Sequence, residues 1–183
     1  MAYTAGVVGA AGYAGVELVR LLLAHPDFEL RAITSNADAG QALASVYPAF
    51  AGVSGLVFTA HDDPALSACD VVFLAVPHTA ALAVVPQLLA SRVTVVDLSA
   101  DYRLDDPAVY ERWYGVAHTS PELLAARAFG LPELFAEDLA RLSARHAAGD
   151  AVLVACAGCF PTATSLAAAP AMRAGWVASE GPV

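Results

Sequence analysis

Cys159 stands in Ala-Val-Leu-Val-Ala-Cys-Ala-Gly-Cys-Phe-Pro-Thr (151–162), between an apolar run and an Ala-rich helical run opened by Pro161. That order reads as a buried strand, a tight glycine turn, a thiol and a helix N-terminus. The unpaired N–H groups of a first helical turn carry partial positive charge. A thiol placed there ionises more easily, and the thiolate is the nucleophile. Plain packing is the competing reading. Cys156-x-x-Cys159 also has the spacing of a metal or dithiol pair. A structural zinc needs two more ligands, and no second Cys or His pair stands at matching spacing. Cys156 is therefore expected at a buried strand end, with an oxidative disulfide to Cys159 as the minor alternative.

A redox partner for this thiol is suggested at the other end of the chain. Gly9-Ala10-Ala11-Gly12-Tyr13-Ala14-Gly15 lies between a strand pattern and a helix pattern, the context a dinucleotide fingerprint requires. The first glycine permits the tight turn, the second lets the backbone approach a pyrophosphate, and the third allows close helix–strand packing. The phosphates then rest on the helix N-terminus. The next strand ends Ile33-Thr34-Ser35-Asn36 without the carboxylate that binds a ribose 2′-hydroxyl in NAD sites. Ser35 and Asn36 suit a 2′-phosphate, which favours NADP. No Arg adjoins them and Asp38 is near, so an ordinary polar turn is the alternative. Two more strand patterns end in polar clusters, Val76-Pro77-His78-Thr79 and Asp97-Leu98-Ser99-Ala100-Asp101-Tyr102-Arg103. Arg103 either forks onto a substrate carboxylate or phosphate or pairs locally with Asp101. His78 either approaches a nicotinamide or caps a helix.

The elements that must position these residues follow from hydrophobic periodicity. Strands are expected at Thr4–Val8, Phe28–Thr34, Leu56–Thr59, Val71–Val76, Thr94–Leu98 and Ala151–Ala155. Helices are expected at Tyr13–Ala24, Thr79–Ala90, Pro107–Tyr114, Glu137–Ala147 and Pro161–Ala174. The loop holding His118, Pro121, Gly130 and Pro132 has no assigned element. Alternation of this kind predicts an α/β fold with a Rossmann-like, doubly wound, mostly parallel sheet. Glu180-Gly181-Pro182-Val183 reads as a turn into a further strand, as if the chain were a piece lacking its second domain. All nine cations of the 183 residues are Arg. The absence of Lys excludes a P-loop lysine and Schiff-base chemistry within this sequence. The net charge of −9 argues against a nucleic-acid partner. The uncharged stretch 151–172 is long enough to span a bilayer. Gly158, Pro161 and Pro170 interrupt it, so no membrane segment is expected. No basic segment followed by an apolar stretch and a cleavage site marks a signal peptide. Three cysteines are too few for a disulfide scaffold, which makes a reducing cytoplasm the default.

The ordered set Gly-Ala-Ala-Gly-Tyr-Ala-Gly (9–15), Val-Pro-His (76–78), Asp-Leu-Ser-Ala-Asp-Tyr-Arg-Leu (97–104), Trp-Tyr-Gly-Val-Ala-His (113–118), Gly-Leu-Pro-Glu-Leu (130–134) and Gly-Cys-Phe-Pro-Thr-Ala (158–163) resembles the N-acetyl-γ-glutamyl-phosphate reductases of arginine biosynthesis. The resemblance implies that Cys159 attacks an acyl phosphate and that NADPH reduces the resulting thioester to N-acetylglutamate semialdehyde. It implies that the 9–15 loop, Ser35 and Asn36 hold the cofactor, with Pro77 and His78 near it, and that Arg103 contacts substrate. It also implies a homo-oligomeric full-length enzyme. Residues 1–158 would then be the NAD(P)-binding domain, and 159–183 the nucleophile helix and the start of a substrate domain. Three departures from the family pattern matter. Cys156-Ala157 replaces a Pro-containing pair, and Asn36 replaces a basic residue. None of His25, His61, His78, His118 or His146 matches the family's general acid/base. That histidine is expected beyond Val183, as is a helix that returns to the first domain, and little or no turnover is expected without them. The rivals are reductases of aminoadipyl or aspartyl phosphates, and a non-catalytic NADP-binding module.

Overall fold

The computed structural model describes residues 2–177. In chain order these form β1 (Tyr3–Val8), α1 (Tyr13–Leu23), β2 (Phe28–Thr34), α2 (Leu43–Val46), β3 (Phe58–Thr59), β4 (Val71–Leu74), α3 (Ala81–Ala90), β5 (Thr94–Asp97), α4 (Pro107–Tyr114), β6 (Ala128–Gly130), α5 (Pro132–Ala147), β7 (Leu153–Cys156) and α6 (Cys159–Arg173). The strands form one sheet in the order β3-β2-β1-β4-β5-β7-β6, and every ladder in it is parallel. The apolar runs of β1 and β4 are long because central parallel strands are covered on both faces.

Two core clusters lie on the two faces of the sheet. On one, Val19 and Leu22 of α1 pack with Val7, Ile33, Leu43, Phe50 and Phe58. On the other, Leu82, Val85 and Leu88 of α3 pack with Val72, Leu74, Val95, Tyr102 and Tyr110. A smaller cluster seats Leu142 of α5 on Ala128 and Val152. Helix α6 buries none of its residues.

The doubly wound, parallel sheet expected from the sequence is present. Several bounds differ, three of them for a clear physical reason. Residues 128–130 read as loop, yet they form β6 and pair with β7. Three residues are too few to show a period. Gly130 allows the approach, because a Cβ there would lie 2.9 Å from the Val154 side chain. Helix α5 starts five residues before the expected Glu137, its first turn joined to the rest across a kink at the non-helical Phe135 (φ −122°, ψ 32°). Helix α3 begins at Ala81 because Thr79 has φ 73°, left-handed backbone that no helix continues. The expected strand near 180–183 lies outside the described residues.

Candidate active site

The strand order reverses between β1 and β4, since β1 continues outward to β2 and β4 to β5. Crevices at such a switch point, beyond the strands' carboxyl ends, are where open α/β sheets bind ligands. The glycine loop follows β1 and the Pro77-His78 turn follows β4, so the two face each other across it. The 97–103 cluster follows β5, and Cys159 follows β7. All four motifs therefore lie on one edge of four consecutive strands. From β1 to β7 is three strand spacings, about 14 Å.

The loop is built around its glycines. Gly9 has φ +78°, and a Cβ on it would overlap the Ala75 carbonyl at the end of β4. Gly15 is buried, and a Cβ there would collide with the Gly9 carbonyl and with Ala10. The Gly9 and Ala10 amides both donate to the Thr34 carbonyl, at 3.1 and 2.9 Å. Tyr47 donates its hydroxyl to the Ala11 carbonyl at 2.6 Å; nothing local in the sequence marks this tether. Gly12 differs from the other two. Its backbone (φ −78°, ψ 165°) suits any residue, and a Cβ would meet only the Gly9 carbonyl, at 3.4 Å. Gly12, Tyr13 and Ala14 are exposed at the start of α1. That first turn has neither a side-chain cap nor an acidic residue. Open first-turn amides without a carboxylate, beside a cradle that a side chain at 12 would fill, fit a dinucleotide pyrophosphate.

The turn after β2 holds its own hydrogen bonds. Ser35 is buried and donates to Asp38 at 2.6 Å. Asn36 accepts from the His61 amide at 2.9 Å through Oδ1. The His61 ring meets the Thr34 hydroxyl at 2.7 Å, and burial holds its pKa below the ordinary value. Asn36 itself is exposed, leaving its amide nitrogen toward solvent. No arginine joins this cluster.

Beyond β4, Pro77 and His78 are exposed, and the His78 ring lies 5.5 Å from that of Tyr114. The turn is fixed from across the sheet edge. Buried Asp101 accepts from the Thr79 amide at 2.6 Å and the Ala81 amide at 2.9 Å. It also accepts from the Tyr110 hydroxyl at 2.8 Å. It thus caps α3, which has no cap of its own. His118 takes the Ser120 amide on Nδ1 and donates from Nε2 to the Asp101 carbonyl at 2.9 Å. None of the partners of Asp101 was apparent from the sequence, because they lie 9 to 22 residues away.

With Asp101 so engaged, the local Asp101–Arg103 ion pair does not form. Arg103 turns instead to two backbone carbonyls. Its Nε donates to Cys156 at 2.8 Å and its Nη2 to Leu98 at 2.6 Å. Neighbouring Asp97 is buried, which pushes its carboxyl up to about 6, although Ser99 donates to it from both amide and hydroxyl. Arg103 also lines a cavity of about 360 Å³ with Arg127 and Phe129. Arg127 is already paired there with Asp105, at 2.7 Å.

Cys159 is the first residue of α6 and is exposed, whereas Cys69 is buried and Cys156 half-buried. Desolvation raises the thiol of Cys69, and raises that of Cys156 to about 11. Both therefore stay protonated near neutrality. Gly158 caps α6 without a side-chain hydrogen bond, and the first turn contains no acid. The strand–turn–thiol–helix order expected from the sequence is what the backbone shows. An exposed thiol at a helix N-terminus and a glycine turn with open amides share one edge here.

Comparison with known proteins bears on that arrangement. The model of the semialdehyde dehydrogenase NAD-binding domain matches residues 4–142. N-acetyl-γ-glutamyl-phosphate reductase of Pseudomonas putida is 49% identical over 171 residues, 93% of this chain and 47% of its own length. The enzyme of the same name from Neisseria gonorrhoeae is 46% identical over 169 residues, 92% of this chain and 46% of its own length. The chain thus spans about half the length of the curated relatives it matches. Among solved structures, aspartate semialdehyde dehydrogenase II of Vibrio cholerae superposes with a TM-score of 0.65 at 13% identity, over 95% of this chain and 43% of its own. Aspartate semialdehyde dehydrogenase with NADP from Candida albicans gives 0.62 at 19% identity, over 85% and 42%. At such identities these structures speak for the fold alone.

Proposed function

The chain belongs to the semialdehyde dehydrogenase family through its NAD-binding domain, and from that membership we propose that it is the nucleotide-binding, nucleophile-bearing part of an NADPH-dependent N-acetyl-γ-glutamyl-phosphate reductase of arginine biosynthesis. The observation that carries this reading is the exposed Cys159 thiol at the N-terminus of α6, on the same sheet edge as the 9–15 cradle. The 46–49% identity to relatives of that name supports the choice of substrate.

In this reading the Cys159 thiolate attacks the γ-carbonyl carbon of the acyl phosphate. The C–S bond forms, the C–O bond to phosphate breaks, and inorganic phosphate leaves with the electron pair. The dinucleotide, when bound, would supply the hydride that reduces the thioester; the C–S bond then breaks, the Cys159 thiolate leaves with its electron pair, and the semialdehyde is freed. Gly9, Gly12, Tyr13, Ala14 and Gly15 offer the pyrophosphate a turn without side-chain bulk and the open amides of α1. Ser35 and Asn36 would border the ribose 2′ position, and Pro77 and His78 the nicotinamide end. Arg103 retains three N–H donors beyond its two carbonyl bonds, which would be available to the substrate's phosphate or carboxylate. A small-molecule substrate and a homo-oligomeric whole enzyme follow from the same reading. So does a cytoplasmic site of action, in keeping with three free thiols. No helix among the described residues is long and apolar enough to cross a membrane.

The test is acylation. Incubated with N-acetyl-γ-glutamyl phosphate, the chain should release up to one equivalent of phosphate in a burst. Peptide mapping should find the acyl group on Cys159, and Cys159→Ala should abolish both signals. Aminoadipyl and aspartyl phosphates, run in parallel, separate the related reductases by their burst rates. A Cys159 left unmodified by all three would turn the reading toward a non-catalytic nucleotide-binding module.

A further inference from the structure

Gly158, the residue before the thiol, is not glycine for its backbone. Its φ of −73° and ψ of 165° are open to any residue. What stands against a side chain there is Arg103. A Cβ on Gly158 would lie 2.8 Å from Nη1 and 3.3 Å from Cζ of that guanidinium. The end of a long side chain ordinarily swings away from such a contact at little cost. This one is pinned, because Nε holds the Cys156 carbonyl at 2.8 Å and Nη2 the Leu98 carbonyl at 2.6 Å. Leu98 and Cys156 mark the carboxyl ends of the adjacent parallel strands β5 and β7. The backbone that carries Arg103 is held in turn. Arg127 donates to the Tyr102 carbonyl, and to the Arg103 carbonyl at 2.8 Å.

We infer that Arg103 is a positioning residue for the nucleophile. Its planar fork clamps the ends of two strands while Nη1 and Cζ fill the space beside Gly158, setting the turn from which Cys159 starts α6. The clamp requires the fork and not merely the charge, since Nε and Nη2 hold two spaced donors parallel in one plane, whereas an ammonium carries all its donors on a single nitrogen at the end of a flexible stem. The glycine is required because the guanidinium occupies the space of its side chain. The inference rests on Cys159 being the reactive thiol, and it goes beyond any contact of Arg103 with substrate.

The two residues should therefore act as one unit, which a double-mutant cycle reads directly. The measurement is the rate at which iodoacetamide alkylates Cys159 in the folded 183-residue chain, followed by peptide mapping from pH 6 to 9, with melting temperatures alongside. Arg103→Ala, Arg103→Lys and Gly158→Ala should each slow alkylation about tenfold at neutral pH, because the thiol leaves the field of the first-turn amides. Arg103→Ala/Gly158→Ala should be no slower than Arg103→Ala alone. Arg103→Gln, which keeps one carbonyl contact, is measured beside them so that the comparison survives if Arg103→Ala does not fold; it should be slowed by a smaller factor. A wild-type rate in Arg103→Lys would overturn the inference by showing that charge suffices, and so would a Gly158→Ala effect of equal size in both backgrounds. If instead Cys159 in the unaltered chain is not alkylated ahead of Cys69 and Cys156, it is the reading of Cys159 itself that fails.

Discussion

Gly12 and Gly15 open the same helix, but each is small for a different partner. Gly15 is small for the protein, because a Cβ there collides with the Gly9 carbonyl and the Ala10 backbone. Gly12 has ordinary dihedrals and a clear neighbourhood, so its missing side chain serves whatever rests on the first turn of α1. Two substitutions should therefore separate. Gly15→Ala should lower stability by about 2–3 kcal/mol through backbone overlap. Gly12→Val should leave the melting temperature nearly unchanged while weakening NADPH binding by about tenfold or more, read by titration calorimetry. Equal loss of stability in both variants would remove the ligand argument for Gly12. Both glycines were legible in the sequence, because the turn, the helix start and the strand before them are local. So was Cys159, whose flanking strand and helix are adjacent in the chain. Tyr47 was not, since it reaches the loop from 36 residues away.

At the scale of elements, α3 shows how the sheet edge is tied together. Its own N-terminus, Ala80, has no side chain to cap it, and the preceding Thr79 is left-handed. The cap comes from Asp101, beyond the next strand, whose carboxylate takes two α3-end amides and the Tyr110 hydroxyl. The Asp-x-Arg spacing suggested a local ion pair, and that reading failed because fully buried Asp101 has three better donors. An asparagine at 101 retains one acceptor oxygen and turns an NH2 toward N–H donors. Asp101→Asn should therefore cost about 2–4 kcal/mol in urea unfolding. Tyr110→Phe, which removes one donor of three, should cost about 1 kcal/mol. A smaller loss in Asp101→Asn than in Tyr110→Phe would mean that α3 does not depend on this cap. The same distance problem hid β6. Its three residues have no periodicity of their own, and only the β7 register defines them as a strand.

At the scale of the whole molecule, lining up four loops on one edge buries a carboxylate at the end of β5. Asp97 is fully buried, and desolvation pushes it up to about 6 against the Ser99 donors and the Arg103 charge that pull it down. A carboxyl raised in the folded state binds its proton more tightly there than in the unfolded chain. Its stabilising contribution is complete below the unfolded value near 3.8 and is lost as pH rises through about 6. Other groups titrate with the opposite sign. His61 is lowered by burial, so it favours the folded state at higher pH. Asp63 and Asp70, lowered by the hydrogen bonds they accept, lose their contribution only under acid conditions. The pH dependence of the chain alone is thus a composite, and Asp97 is isolated by difference. An asparagine at 97 keeps an acceptor for the Ser99 amide and offers its NH2 to the Ser99 hydroxyl. Asp97→Asn should gain stability relative to the unaltered chain between pH 5 and pH 8, by about 1.4 kcal/mol. The measurement is urea unfolding of both proteins across that range. A difference that stays flat with pH would show that Asp97 meets no such burial cost, and that enough water reaches the end of β5 to keep its carboxylate solvated.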